Sequence, residues 1–500
     1  MTSPTGSAGS LNAGRRARDL RRVAEEQVDV LVVGLGATGA GAALDAAARG
    51  LSVAAIDAHD LAFGTSRWSS KMIHGGLRYL AKGQVDVAYE SAVERGLLLR
   101  NTHLVRAQPY VLPLTPEVGR AQAALTMTGY RLGDALRTGA RTPRPLLPGP
   151  SRLPAARVRE LAPMISPYGL RGGLLSWDGR LLDDARLVVA LARTAAWCGA
   201  RVLTRCRALS LEPGGAVVED TLTGERLTIR ARVVVNATGV WAGNLDPSVR
   251  LRPSRGTHLV VRGLEGLRSG LHLPMPGSLN RFALVLPQAD GRVYVGLTDE
   301  PVDGPVPDVP VAPESDVSAL LALLNSVLDT PLERSAVTGA FAGLRPLLDT
   351  SAGGRAATAD LSRRHAVLSR SGVVTVVGGK LTTYRRMAED AIDHAVALRG
   401  LSAGPSITAA LPLIGAGPVP EGVPRRLAER YGSEAAEIWA LAREFPQEAG
   451  LGLTLGELVW SVRHEGALDP ADLLDRRTRL GLVAADREAA AALAAQAFGL

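Results

Sequence analysis

The chain has 500 residues, 46% of them hydrophobic, 21% charged and 4% aromatic, with 55 glycines and 31 prolines. That length and apolar content suit a globular α/β protein of about three domains, and they exclude a collagenous, disordered or disulfide-stapled chain. Lys and Arg outnumber Asp and Glu, 57 to 49, for a net charge of +8; this suits a phosphorylated substrate or an anionic lipid surface, while the scarcity of aromatics among the basic residues argues against nucleic acid.

Residues 1–26 hold an Arg cluster but no apolar run of the kind a secretory signal needs, and are expected to form a mobile tail. Residues 28–57 read as strand, glycine turn, helix and a second strand ending on Asp57. In Gly34-Leu35-Gly36-Ala37-Thr38-Gly39 the first glycine permits a tight turn, the second lets backbone approach a pyrophosphate, and the third lets helix and strand pack closely. Asp57 is placed to accept from a ribose hydroxyl, and the free N–H groups of the helix start face the phosphates. The pattern predicts a dinucleotide site.

After Asp57, residues 64–76 are rich in Gly, Ser and Thr, with Lys71 and His74, and read as a loop held against a ligand. A helix is predicted over 85–99, and the Pro-rich stretch 104–170 as a covering subdomain with a helical patch at 121–135. Asp183 and Asp184 open a further helix, their charges suiting its N-terminus. Strands are predicted at 201–204, 216–219 and 226–229, with Thr223-Gly224 as a hairpin turn, and at 231–236, leading into the small-residue turn Ala237-Thr238-Gly239. Short strands at 257–261, 281–286 and 292–296 predict an inserted antiparallel sheet. The strand 373–377 enters Gly378-Gly379-Lys380 and opens another helix, so a second helix N-terminus points at the same ligand. From the link at 415–424 onward the pattern is helical. Cys198 and Cys206 have neither metal-ligand nor disulfide spacing, so no metal and a reducing compartment are expected. No apolar run nears the roughly 18 residues of a spanning helix.

GLGATGAG, GTSRWSSKMIHGGLRYL, DDARLV, VVNATGVWA, RGTHLVV, GLTDE, AGLRPL and GGKLTTYRRMAED occur in this order, followed by ELVWSVRHEGALDPADLLDRRTRLGL. Together they resemble the FAD-dependent, respiratory glycerol-3-phosphate dehydrogenases, from about residue 28 to the end. The resemblance implies an α/β fold: a Rossmann-like FAD-binding domain (27–103, 171–247 and 347–400) interleaved with an antiparallel-sheet substrate or cap domain (104–170 and 248–346), then a C-terminal all-helical domain (401–500). It implies noncovalent FAD, hydride transfer from sn-glycerol 3-phosphate to give dihydroxyacetone phosphate, and electron delivery to membrane quinone. It also implies a cytoplasmic protein held peripherally on the anionic inner face of the cell membrane. A homodimer is left open, and the alternative is an oxygen-using glycerol-3-phosphate oxidase or a related amine- or hydroxyl-oxidising flavoenzyme.

Carried onto this sequence, the blocks place His258, Arg345 and Lys380 in the chemistry and Arg78, Tyr79, Arg363 and Thr383 around the substrate, whose phosphate calls for fixed cations. His258 is the candidate base, because a neutral imidazole accepts a proton near pH 7; His74 and water are its rivals. FAD contacts fall on Gly34, Gly36, Ala37, Thr38, Gly39, Asp57, Thr65, Ser66, Ser70, Lys71, His74, Gly75, Gly76, Ala237, Thr238, Gly239, Gly379, Leu381 and Thr382. The sequence departs from the family pattern at Arg67-Trp68, where small residues are common, at Leu297 in place of Thr, and at Asp57 in place of Glu. LSRRH leaves open whether Arg363 or Arg364 faces the substrate.

Overall fold

The computed structural model describes residues 7–80, 83–278, 281–349 and 364–500. Helix α1 (Ala13–Glu25) precedes β1 (Val28–Val33), α2 (Ala37–Ala48), β2 (Val53–Ile56), β3 (Met72–Ile73) and the short α3 (Leu77–Leu80). Next come α4 (Val85–Asn101), β4 (Val105–Pro113), α5 (Arg120–Gly139), β5 (Ser151–Leu153), α6 (Ala155–Leu161), β6 (Gly173–Leu181) and α7 (Asp184–Trp197). Strands β7 (Arg201–Leu203), β8 (Cys206–Glu212), β9 (Gly215–Asp220) and β10 (Arg226–Asn236) lead to α8 (Ala242–Leu245). Strands β11 (Ser254–Val261), β12 (Gly270–Pro274), β13 (Phe282–Pro287), β14 (Val293–Gly296) and β15 (Glu300–Pro301) precede α9 (Glu314–Asn325) and β16 (Val337–Arg345). The nucleotide unit closes with β17 (His365–Arg370), β18 (Val373–Gly378) and α10 (Tyr384–Arg399).

Among the described residues the strands form two large sheets. The first runs β17-β18-β10-β1-β2-β7, parallel except for its edge strand β17. Its strands are near-continuous apolar runs because both faces are covered. On one side α2, α7 and α10 pack on Val30, Val32, Val235 and Val376. On the other, Val23 of α1 and the β8-β9 hairpin cover Leu31, Ala54 and Val234. The second sheet runs β15-β11-β14-β13-β12-β4-β6-β3, with β16 on β11, and buries its far face against α9. His258 on β11, Gly296 on β14, Leu284 on β13 and His272 on β12 are successive register partners. Directly paired residues share a face, so the two histidines lie in one row of the sheet.

Three expectations are corrected. Residues 7–26 are not a tail: Asn12 caps α1, accepting from Arg15 N–H at 2.9 Å, and Arg16 bonds both carboxylate oxygens of Asp220 (2.7 and 3.2 Å) and the Thr204 carbonyl at 2.8 Å. The domain boundary at 171 is misplaced, because β6 pairs along its length with β4 and so belongs to the cap sheet. The predicted strands 226–229 and 231–236 are one strand, β10, which bridges the β9 hairpin and the parallel sheet.

The C-terminal domain is helical apart from the hairpin Glu448–Gly450 and Leu453–Thr454. Its helices Arg425–Tyr431, Ala435–Glu444, Leu455–His464 and Ala484–Gln496 surround a π-helical turn, Leu473–Arg477. This turn docks on the start of the loop after β2. Asp60, fully buried, accepts from Arg476 Nε at 2.6 Å and from Arg477 Nη1 and Nη2 at 2.8 and 2.9 Å. Arg479 Nη2 donates to the Arg67 carbonyl at 2.6 Å, and its guanidinium lies 5.3 Å from the Trp68 ring.

Candidate active site

The turn after β1 has the shape its glycines predict. Gly34 adopts φ +99°, and a side chain on Gly39 would lie 1.8 Å from the Gly34 carbonyl oxygen, so strand and helix meet only because Gly39 has none. Gly34, Gly36, Ala37 and Thr38 line a cavity of about 1510 Å³, which continues past Asp57, along 63–70, past 237–239 and 378–382, and out over the cap sheet. One small ligand typically occupies roughly 300–1,000 Å³, so this space suits more than one occupant. Asp57 Oδ2 accepts from Leu35 N–H at 2.7 Å and Oδ1 from His59 N–H at 2.8 Å, which aims the carboxylate at the turn. Burial pushes its pKa up to about 6 despite these bonds. Ser66 Oγ accepts from Ala37 N–H at 2.8 Å, tying the loop to the helix start, and the Thr65 hydroxyl donates to the Leu344 carbonyl at 2.7 Å.

Over the cap sheet the cavity becomes cationic. Arg345, at the end of β16, is braced on three sides: Nη1 donates to Ser254 Oγ at 3.1 Å and Asp299 Oδ1 at 3.0 Å, and Nη2 to the Thr298 carbonyl at 3.2 Å. Lys380 Nζ bonds the Ser91 hydroxyl and sits 4.2 Å from the Tyr79 ring centre. Tyr79 in turn stacks on His74, with ring centres 6.4 Å apart. His258 is buried; its Nε2 meets Ser70 Oγ at 2.8 Å and its ring stacks on Phe341 at 4.8 Å. Burial, with Lys71 and Arg345 nearby, holds its pKa well below the usual imidazole range, so the ring is neutral at pH 7. All five of His74, Tyr79, His258, Arg345 and Lys380 face the one cavity, together with Thr65, Ser66, Ser70, Ala237, Thr238, Gly239, Gly379, Leu381 and Thr382.

Several assigned residues stand elsewhere. Lys71 points away from the cavity: its buried Nζ lies 3.1 Å from Asp184 and bonds the Arg67 and Ser69 carbonyls, 4.6 Å from the Phe341 ring centre. Burial outweighs Asp184 and lowers its pKa to about 8. Gly75 donates to Asp178 at 3.0 Å with Arg95 packed against it, and Gly76 abuts α4, so neither lines the cavity. Gly39 serves packing alone. Thr383 is buried, its hydroxyl turned back to the Lys380 carbonyl at 3.4 Å. Arg363 and the side chain of Arg78 lie outside the described residues, and Arg364 pairs with Asp86 at the surface.

Sequence reasoning missed Ser254, Thr298 and Ser91, which hold the two cations, and Trp68 is a wall of the cavity, gripped by Arg67 at 4.3 Å and Arg479. It also missed Tyr130 and His272, whose Oη and Nδ1 are 2.6 Å apart at the far end of the cavity. For Asp299 a signal was present, in GLTDE.

Comparison with known proteins bears on this arrangement. A family model of FAD-dependent oxidoreductases matches residues 29–385, and a model of the C-terminal domain of alpha-glycerophosphate oxidase matches 374–498. Glycerol-3-phosphate dehydrogenase 1 of Mycobacterium bovis is 52% identical, over 97% of this chain and 98% of its own length. The chain belongs to the FAD-dependent glycerol-3-phosphate dehydrogenase family. A mitochondrial glycerol-3-phosphate dehydrogenase of Arabidopsis thaliana is a more distant member, 31% identical over 98% of this chain and 85% of its own. The solved glycerol-3-phosphate dehydrogenase of Bacillus halodurans, complexed with FAD, superposes with a TM-score of 0.75 at 28% identity, covering 98% of this chain and 94% of that one. L-alpha-glycerophosphate oxidase of Mycoplasma pneumoniae, at 19% identity and TM-score 0.58, shares the fold.

For a member of this dehydrogenase family, FAD is the cofactor. The residues present fit it. A side chain on Gly36 would lie 2.9 Å from Ser66 Oγ and one on Gly34 2.6 Å from the Ala237 carbonyl oxygen, so backbone borders the cavity closely on both sides, as a pyrophosphate requires. The start of α2 and Asp57 form the nucleotide end; 64–70, 237–239 and 378–382 form the remainder of the cradle.

Proposed function

We propose that the protein oxidises sn-glycerol 3-phosphate to dihydroxyacetone phosphate and passes the electrons to membrane quinone. The observation that carries the substrate reading is the convergence of Arg345, Lys380 and a neutral His258 on the cavity that begins at the dinucleotide turn. FAD, when bound there, supplies the hydride-accepting chemistry. Arg345 and Lys380 bind the phosphate and the glycerol oxygens; their bonds to Ser254, Thr298 and Ser91 fix both cations before the substrate arrives, so little ordering remains on binding. His258 accepts the hydroxyl proton at Nε2, the nitrogen that Ser70 holds at the cavity wall.

Anaerobic addition of glycerol 3-phosphate to the yellow protein tests this reading: the visible flavin band should bleach. A band that persists would sink it. Re-oxidation by a quinone analogue but not by dissolved oxygen separates the dehydrogenase from a peroxide-forming oxidase.

The chemistry assigned to His258 gives a second expected result. His258→Asn should slow bleaching by about 10²–10⁴-fold. Because the ring is already neutral, the deficit should be equal at pH 6 and pH 8, measured by rapid mixing. A deficit confined to the acid side would mean that the ring titrates in this range and that its assigned state is wrong.

No helix among the described residues is long and apolar enough to cross a membrane. The membrane reading is supported by α5, whose Leu125 and Leu132 line the cavity mouth yet are 54% and 52% exposed, beside the exposed Arg120 and Arg131. An apolar face flanked by arginines suits an anionic bilayer surface. Co-sedimentation with anionic vesicles, lost in Leu125→Asp/Leu132→Asp, is the expected result; unchanged sedimentation would remove α5 from the docking face.

A further inference from the structure

Beyond the nucleotide end the cavity runs as a trough over the cap sheet. It passes His258 and, three strands along the same sheet row, reaches His272. At about 4.8 Å per strand the two lie roughly 14 Å apart, too far for a small phosphorylated substrate to bridge. The far end is built: Tyr130, Phe282 and Leu284 wall it, and Leu125 and Leu132 open it to the outside.

His272 is the buried polar side chain at the inner end of this chamber. It is 8% exposed, stacks on Tyr110 at 5.3 Å, meets Phe282 at a tilt with ring centres 5.8 Å apart, and its Nδ1 is taken by Tyr130 Oη at 2.6 Å. Nε2 has no hydrogen-bond partner among the described residues and is not among their fully buried unpartnered atoms, so it opens onto the cavity that the residue lines. Burial holds the ring neutral, its pKa lowered to about 4. A phenol is a better donor than a neutral imidazole N–H and imidazole nitrogen the better acceptor, so the pair settles as O–H···Nδ1 and leaves the ring proton on Nε2. The chamber therefore offers an oriented hydrogen-bond donor deep in a slot walled by aromatic and apolar side chains, with Thr126, Thr128 and Arg281 also on its lining.

We infer that this chamber is the binding site of the electron acceptor, a quinone whose carbonyl oxygen accepts from His272 Nε2–H while its apolar tail leaves between Leu125 and Leu132. This rests on the quinone reading above. A planar ring with a carbonyl on its rim and a hydrocarbon tail matches aromatic walls, a neutral donor fixed at the inner end and an apolar exit; a free phosphate ester calls for several converging cations, and Arg281 is one. Tyr130 orients His272 and is a positioning residue.

The test uses the full-length, FAD-loaded protein with glycerol 3-phosphate and two acceptors, decylbenzoquinone and ferricyanide. His272→Ala should raise the KM for decylbenzoquinone about tenfold, leaving ferricyanide turnover within about twofold. Calorimetric titration with decylbenzoquinone should show the same loss without turnover. If His272→Ala sheds its FAD, Tyr130→Phe, which keeps the ring and removes only the hydroxyl, carries the same comparison with a smaller rise. Equal losses with both acceptors, or an unchanged quinone KM and binding, would overturn the assignment of His272. A parent protein that bleaches with substrate yet is not re-oxidised by decylbenzoquinone would overturn the quinone reading itself, and this site with it.

Discussion

Arg345→Met is expected to lower kcat/KM for glycerol 3-phosphate by about 10²–10³-fold while FAD stays bound, since a charged hydrogen-bonding pair to a phosphate or alkoxide oxygen is worth roughly 2–4 kcal/mol. The side chain is only 20% exposed, and its three protein partners hold the guanidinium plane in one orientation. Arg345→Lys should recover a minor part, because the ammonium restores the charge and loses the planar fork. The replacement also removes the Arg345 guanidinium from Asp299, 5% exposed at its side chain, so part of the loss comes from a carboxylate less well compensated near an anionic substrate. Rapid-mixing measurements of flavin bleaching against substrate concentration decide the matter. A loss under fivefold, or a lysine variant as good as the parent, would move the phosphate away from Arg345.

The second large effect lies outside the reacting groups. Arg477→Met should destabilise the protein by about 3–5 kcal/mol and lower its melting temperature by roughly 3–5 °C. Arg477 and Asp60 are both fully buried, and losing the arginine leaves Asp60 with Arg476 alone. Burial pushes the Asp60 pKa up, but Arg477 and Arg476 together hold it well below the usual carboxylate range. Its stabilisation is therefore present above the ordinary carboxylate pKa and is lost as pH falls towards the depressed value, so the gap between parent and Asp60→Asn should narrow in acid. Replacing both partners by apolar residues, Asp60→Leu with Arg477→Met, should cost less than Arg477→Met alone. Melting curves of the parent, Asp60→Leu, Arg477→Met and the double variant at pH 7 measure the coupling, and parent against Asp60→Asn at pH 7 and pH 3 measures the loss in acid; additive losses would show that the pair is not coupled.

The nucleotide turn was legible because its information is local: an apolar strand, three glycines and a helix within twelve residues of chain, and the structure has them at β1 and α2. That Arg345, Lys380 and His258 border one cavity was legible through the ordered blocks, Arg345 at a strand end, Lys380 after a turn and His258 within β11. Lys71 was misread because its partner Asp184 lies across the fold, and a polar loop gives no sign of which side chain turns inward. The amino-terminal arginines read as solvated for the same reason: Arg16 meets its carboxylate 204 positions along the chain. The boundary at 171 failed because pairing of β6 with β4 is a property of the cap sheet as a whole, whereas the composition of 171–181 resembles any buried strand. His272 and Tyr130 stood 142 positions apart, with nothing in either neighbourhood to connect them.

The π-helical turn and Arg479 sit within the last thirty residues, yet they grip both ends of the loop that borders the cofactor cavity near the start of the chain. During synthesis, Asp60 emerges from the ribosome more than four hundred residues before its arginines. At about 5–20 residues per second that interval is roughly 20–80 s. Through it the loop lacks the arginines that fix its two ends at Asp60 and at the Arg67 carbonyl. Local opening of the π-helical turn should therefore loosen the border of the cofactor cavity as well.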